Sequence, residues 1–166
     1  SCVVAAPSRI RPAADRVKTD RRDAERLARL LRLGEITPIR VPTLEEEAAR
    51  DLVRAREDAR GDLMRARHRL SKLLLRHGLV YDATAWTRTH AAWLRRQRFQ
   101  SGPLSIVFDE CYGRMIDAKT RRDALDDAIG GLAATAPYVV SRLVCLRGVS
   151  TLTAFALTVE LGDWHR

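Results

Sequence analysis

Asp20 and Asp23 lie three residues apart in the run Lys18-Thr19-Asp20-Arg21-Arg22-Asp23-Ala24, at the expected start of a helix. Residues i and i+3 are neighbours on a helix surface, so both carboxylates can project to one side and share a hard cation such as Mg2+. Two metals on clustered carboxylates activate a water or hydroxyl and stabilise the leaving oxygen of a phosphodiester. The same spacing suits a purely structural use, with Asp20 as a helix N-cap and Asp23 as an acid favoured by the helix dipole. The basic residues around them, Arg9, Arg11, Arg16, Lys18, Arg21 and Arg22, form either a phosphate-holding patch or a solvated loop.

Two further groups have a chemical reading and a packing one. Trp86, Trp93 and Phe99 are interleaved with Arg88, Arg95, Arg96 and Arg98, a pattern suited to stacking bases between cationic flanks. Aromatics at helical spacing also serve as ordinary packing. The turn Arg147-Gly148-Val149-Ser150, set between two apolar helical runs, has the spacing of a helix-hairpin-helix. Its glycine permits a close turn, and the N–H groups opening the second helix can receive a phosphate, with Arg147 and Gly148 at the contact. A plain αα-hairpin is the alternative. The serines have no evident base or oxyanion partner. Cys2, Cys111 and Cys145 are far apart and odd in number, which indicates neither a disulfide framework nor a zinc site and fits a cytoplasmic location. The histidines lack ligand spacing and are expected at the surface or an interface.

The elements that must position these groups follow from periodicity and punctuation. Val3 to Ala6 has the composition of a short buried strand, and Pro7 to Arg16 that of a loop. Asp20 to Leu33 is expected as a helix closed by Gly34, with Ala24, Leu27, Ala28 and Leu31 as its apolar face. Ile36 to Val41 is a short extended piece between prolines. A capping box at Thr43-Leu44-Glu45-Glu46 opens a long helix that Gly78 stops. Leu52, Ala59, Ala66 and Leu73 recur at heptad spacing with Leu63 and Leu70, and Arg56 and His77 share the register. Leu104 to Leu132 repeats the device, with Cys111, Ala118 and Leu125 in one register and Phe108, Met115, Arg122 and Ile129 in the other. Two such seams predict a long antiparallel coiled-coil hairpin that gains a further partner by dimerisation or higher assembly. Tyr138 to Leu146 and Thr151 to Leu161 form the last helical pair.

Composition agrees with a folded, mainly α chain. Among 166 residues, 30 are basic and 21 acidic, and all but three of the basic ones are Arg. More than half of the +9 net charge lies in residues 1–41. Arg suits bidentate phosphate contact, although a coding bias toward Arg produces the same composition. Runs of apolar residues stay well short of the roughly 18 that a membrane span needs, so no membrane partner is expected.

Taken in order, Val3-Val4-Ala5-Ala6-Pro7-Ser8, the Lys18 to Ala24 run, Leu27-Ala28-Arg29-Leu30-Leu31-Arg32 and Gly34-Glu35 closely resemble the DEDD-type transposases of the insertion-sequence "one-ten" family. The Arg50 to Asp58 stretch, Arg67-His68-Arg69-Leu70-Ser71-Lys72, Trp86-Thr87 with His90, and Cys145 to Asp163 are similar to that family in the same order. The resemblance implies an N-terminal RuvC-like (RNase H-like) domain with four metal-binding acids, a coiled-coil segment for assembly, and a C-terminal domain with a nucleophilic serine. It also implies DNA recombination guided by an element-encoded RNA. Asp20 and Asp23 match the third and fourth acids. The first two acids would lie upstream of residue 1 and the serine downstream of residue 166, so the chain is expected to be a portion that is inactive alone.

The resulting expectation is mainly α: residues 1–41 end an RNase H-like α/β domain, 42–137 form the coiled-coil middle, and 138–166 begin a helix-hairpin-helix-like C-terminal domain. Mg2+ is the expected cofactor at Asp20 and Asp23, with DNA, the guide RNA and a second copy of the chain as partners. A non-catalytic helical module for nucleic-acid binding or dimerisation is the alternative.

Overall fold

A computed structural model describes residues 2–10, 19–135 and 140–162. The chain is mainly helical and forms two compact units, Ser1–Leu44 and Glu45–Arg166.

In the first unit, a single 3-10 turn (Pro7–Arg9) precedes helix α1 (Asp20–Arg32). The strand expected at Val3 to Ala6 is reduced to one isolated antiparallel bridge between Ala5 and Pro38, where the Ile39 N–H donates to the Val4 carbonyl at 2.8 Å. Pro38 has no N–H to extend the ladder. The expected apolar face of α1 is exposed: Leu27 and Leu31 retain 42% and 54% of their accessible surface, and Ala24 and Ala28 are also exposed. No sheet exists among the described residues of this unit for that face to cover.

The second unit is built on two long helices, α2 (Leu44–Arg76) and α4 (Gly102–Thr135), connected through the short helix α3 (Arg88–Arg95). Gly78, at φ 71°, closes α2 in the left-handed region, and the Leu79 N–H donates back to the Leu74 carbonyl. This turn places Leu79 against the same apolar cluster as Leu74. That cluster joins Leu63, Ala66, Leu70, Leu73 and Leu74 of α2 to Leu94 of α3 and to Phe108, Met115 and Ala118 of α4. A second cluster joins Val53 of α2 to Ile129 of α4. Because the early part of α2 meets the late part of α4, and the reverse, the two helices run in opposite directions.

Between the clusters lies a charged layer. Arg56 donates from Nε to Asp126 Oδ1 at 2.7 Å, and both side chains are less than a quarter exposed. Arg122 Nε approaches Asp126 Oδ2 at 3.5 Å without making a hydrogen bond. The two arginines in the heptad register are therefore placed against a shared acid. His77 lies beyond the end of α2 and is exposed, and Leu132 keeps 45% of its surface, so the apolar register does not extend to either residue.

Helices α5 (Val140–Leu143) and α6 (Thr151–Leu161) complete the second cluster through Val140, Ala154, Phe155 and Val159. The helix expected to run to Leu146 ends at Leu143, and its predicted start at Tyr138 lies outside the described residues. Ser150 caps α6 by accepting from the Thr153 N–H. At the other end of α6, Arg50 donates from Nε to the Val159 carbonyl at 2.7 Å. A cation there satisfies carbonyls at the negative end of the helix dipole. No helix among the described residues is long and apolar enough to cross a membrane.

Leu70 is fully buried and Leu75 is 55% exposed. Leu70→Ala is expected to cost about 2–5 kcal/mol in urea unfolding, and Leu75→Ala roughly 0.5 kcal/mol or less. A double-mutant cycle on Arg56 and Asp126 should give a coupling of about 0.5–3 kcal/mol, whereas additivity would show that the charged layer does not bind the helices together.

Candidate functional site

Thr19 is the N-cap of α1: its Oγ1 accepts from the Arg22 N–H at 3.4 Å. Asp20 is therefore not the cap, as the structural alternative had it, but the first helical residue. The threonine hydroxyl already serves the free N–H groups of the first turn, which leaves the Asp20 carboxylate outside that role. Asp20 and Asp23 both lie in the first turn and both are exposed. Arg21 and Arg22 are exposed beside them, with Arg21 Nε bonded to Glu25 at 3.0 Å. Such an exposed i,i+4 pair contributes little stability and leaves Arg21 free to exchange partners.

Arg9 is not part of this group. With Ile10 it lines a cavity of about 390 Å³ alongside Leu30 and Glu35, at the far end of α1. Ten residues separate Asp20 from Leu30, roughly 15 Å at the helical rise. Arg11, Arg16 and Lys18 lie outside the described residues. Arg147 and Gly148 occupy an exposed turn before α6, with Gly148 at φ 86°, a conformation that favours glycine. Among the described residues no group of three or more His, Cys, Asp or Glu is arranged to hold a metal ion.

The aromatic residues around α3 are mostly committed to packing. Trp93 and Phe99 are half-buried against the first apolar cluster, Phe99 meets Phe108 at 5.0 Å, and Phe108 stacks on Tyr112 at 5.8 Å. His90, expected at the surface or an interface, is buried within the second unit beneath Tyr81, Trp86 and Trp93. Its Nδ1 accepts the Trp86 N–H at 3.0 Å, which requires that nitrogen to be unprotonated. Trp86 has φ 67°, rare for a bulky residue, and this hydrogen bond helps hold it there.

Residues 3–78 match the family model for IS110-type DEDD transposases, described as "Transposase". The chain is 39% identical over 170 residues to the transposase for insertion sequence element IS1533 of Leptospira borgpetersenii. The chain belongs to the IS110 transposase family. This transposase-family chain is also 40% identical over 167 residues to a protein of Sinorhizobium fredii (strain NBRC 101917 / NGR234) named as a candidate transposase, y4qE. In each comparison 99% of the chain is covered, against 49% of the first relative and 40% of the second, so the chain spans about half the length of the curated relatives it matches, or less. No solved structure matches it. The family match over residues 3–78 contains Asp20, Asp23 and the described basic residues beside them, and it reaches through α2.

Burial pushes the His90 pKa below its usual 6.5. As pH falls, the unfolded chain therefore takes up a proton before the folded chain does, and folding stability declines from about pH 6.5 downward until the buried imidazole itself protonates. The thermal midpoint of this transposase-family chain should fall between about pH 7 and pH 5. In His90→Gln, whose side-chain oxygen can still accept the Trp86 N–H, that slope should flatten, and an unchanged slope would assign it to other groups.

Proposed function

We propose that the chain serves in DNA transposition, as a portion of an enzyme that cleaves and rejoins DNA at an insertion sequence under the guidance of an element-encoded RNA. The observation that carries this reading is the exposed pair Asp20 and Asp23, on one turn of α1, within the segment that matches the transposase family. In this reading the two carboxylates are the third and fourth acids of a DEDD set. They hold Mg2+ together with two further acids, and the metal supplies activation of the attacking oxygen and charge stabilisation at the leaving one. Arg21 and Arg22, with Arg11, Arg16 and Lys18, hold nucleic-acid phosphates, and Arg9 meets phosphate at the opposite end of α1.

The first unit then belongs to an RNase H-like α/β domain. Its exposed apolar residues Val3, Val4, Leu27 and Leu31 support this, because such positions are buried where a helix packs on a complete sheet. Helices α2 and α4 act as an antiparallel coiled-coil hairpin for assembly into a dimer or larger complex. Helices α5 and α6, with Arg147 and Gly148 in their turn, act as a helix-hairpin-helix element touching DNA backbone. A cytoplasmic location is consistent with these partners.

A second reading, a non-catalytic helical module for nucleic-acid binding or dimerisation, draws on one observation: among the described residues, every buried core residue lies in α2 to α6. Two measurements on the chain decide between them. Mn2+ should broaden the amide signals of the first turn of α1, and Asp20→Asn or Asp23→Asn should abolish that effect; broadening that survives both changes would remove the metal role. Duplex DNA affinity should fall steeply with salt, and Arg21→Gln and Arg22→Gln should each reduce the log–log slope by about 1. Absence of binding even at low salt would leave only the dimerisation module.

A further inference from the structure

Helices α2, α3 and α4 line an open-mouthed cavity of about 190 Å³ whose wall is mainly apolar. Leu94 and Met115 are buried and form its floor, Trp86 stands at the side, and Arg67, Arg88 and Lys119 also line it. Arg88 and Lys119 are exposed and therefore lie toward the mouth; Lys119 is ion-paired with Asp123, and among the described residues no acid lines the cavity itself. The Arg67 guanidinium covers the Trp86 ring, 4.9 Å from its centroid, and its Nε is buried without a hydrogen-bond partner. Burial, and secondarily the neighbouring Arg122, push the Arg67 pKa below the usual arginine value against the opposing pull of Asp123, so its guanidinium is held in the wall at some cost. The first turn of α3, Thr87 and Arg88, adds the positive end of a helix dipole at the same opening.

An apolar, aromatic-sided floor beneath a cationic mouth fits a ligand with a flat apolar body and a negative charge at one edge. A small hydrated anion alone would leave the floor uncovered, and a purely apolar side chain would give Arg67 and Arg88 no anionic partner. The volume admits one ring system and not a stacked base pair. We propose that this cavity takes one nucleotide of a single-stranded nucleic acid, its base on Leu94 and Met115 beside Trp86 and its phosphate against Arg67 and Arg88. The site uses neither Asp20 nor Asp23 and requires no metal.

Binding of a short labelled single strand, and of the same sequence as a duplex, is measured on the whole chain in EDTA, so the outcome is independent of the metal reading. Ala91→Met narrows the cavity without altering its charge, and Arg88→Gln removes one exposed mouth charge. Each should weaken single-strand binding about tenfold, and Ala91→Met should leave duplex affinity within roughly twofold of the unsubstituted chain. Single-strand binding unchanged in both variants overturns the proposal. So does a loss of self-association in Ala91→Met with single-strand binding intact, which would assign the cavity to a second copy of the chain. Should Ala91→Met fail to fold, a strand carrying 5-iodouracil, photocrosslinked to the unsubstituted chain, gives an independent answer. A crosslink at Trp86 or Tyr112 supports the site, and crosslinks confined to other residues overturn it.

Discussion

The structure of the second unit depends on how two long helices bury an apolar stripe that contains arginine. Arg56 and Arg122 occupy heptad positions between two apolar clusters, where an uncompensated guanidinium would be costly. Asp126 resolves this by accepting from Arg56 across the helix pair while facing Arg122 on its own helix. An ion pair of this kind adds little net stability compared with apolar residues of the same shape, but shifting the helices by one turn would strand the charges. It therefore acts chiefly on register, and the register aligns Leu63 to Leu74 with Phe108 to Ala118.

Other contacts build outward from that alignment. With α2 and α4 aligned, Val53 and Ile129 come together and form the seat for α5 and α6. Arg50 then ties the end of α6 to α2 through the Val159 carbonyl. At the opposite end, Leu94 fills the space between the long helices and brings α3 close enough for Arg67 to cover Trp86. The cavity lined by α2, α3 and α4 follows from the same alignment: its floor is the edge of the first apolar cluster and its cations are carried by all three helices.

The first unit is organised differently. Helix α1 is specified locally, by the Thr19 cap and by Gly34 at φ 70° after its last turn, without a buried residue of its own. Its acids and apolar stripe are both exposed. That is the condition of an element whose shape is set by local signals rather than by burial.

Much of the helical layout was legible in the sequence because helix periodicity and punctuation are local properties. Thr43 and Gly78 bracketed α2, Gly34 closed α1, and Gly162 followed α6. The ordered motifs from Val3 to Asp163 were likewise sufficient to point to the transposase family. Arg67 escaped notice as a ligand-facing residue, although the signal was present: it lies at helical spacing among Leu63, Leu70 and Leu74, a cation within an apolar stripe. Tertiary structure alone decided that His90 is buried, that Trp86, Trp93 and Phe99 all pack on the first apolar cluster while Trp86 also lines a cavity, and that Arg9 lies at the opposite end of α1 from Asp20. Burial and proximity depend on which distant segments meet, and the side-chain types and spacing within one segment do not contain that information.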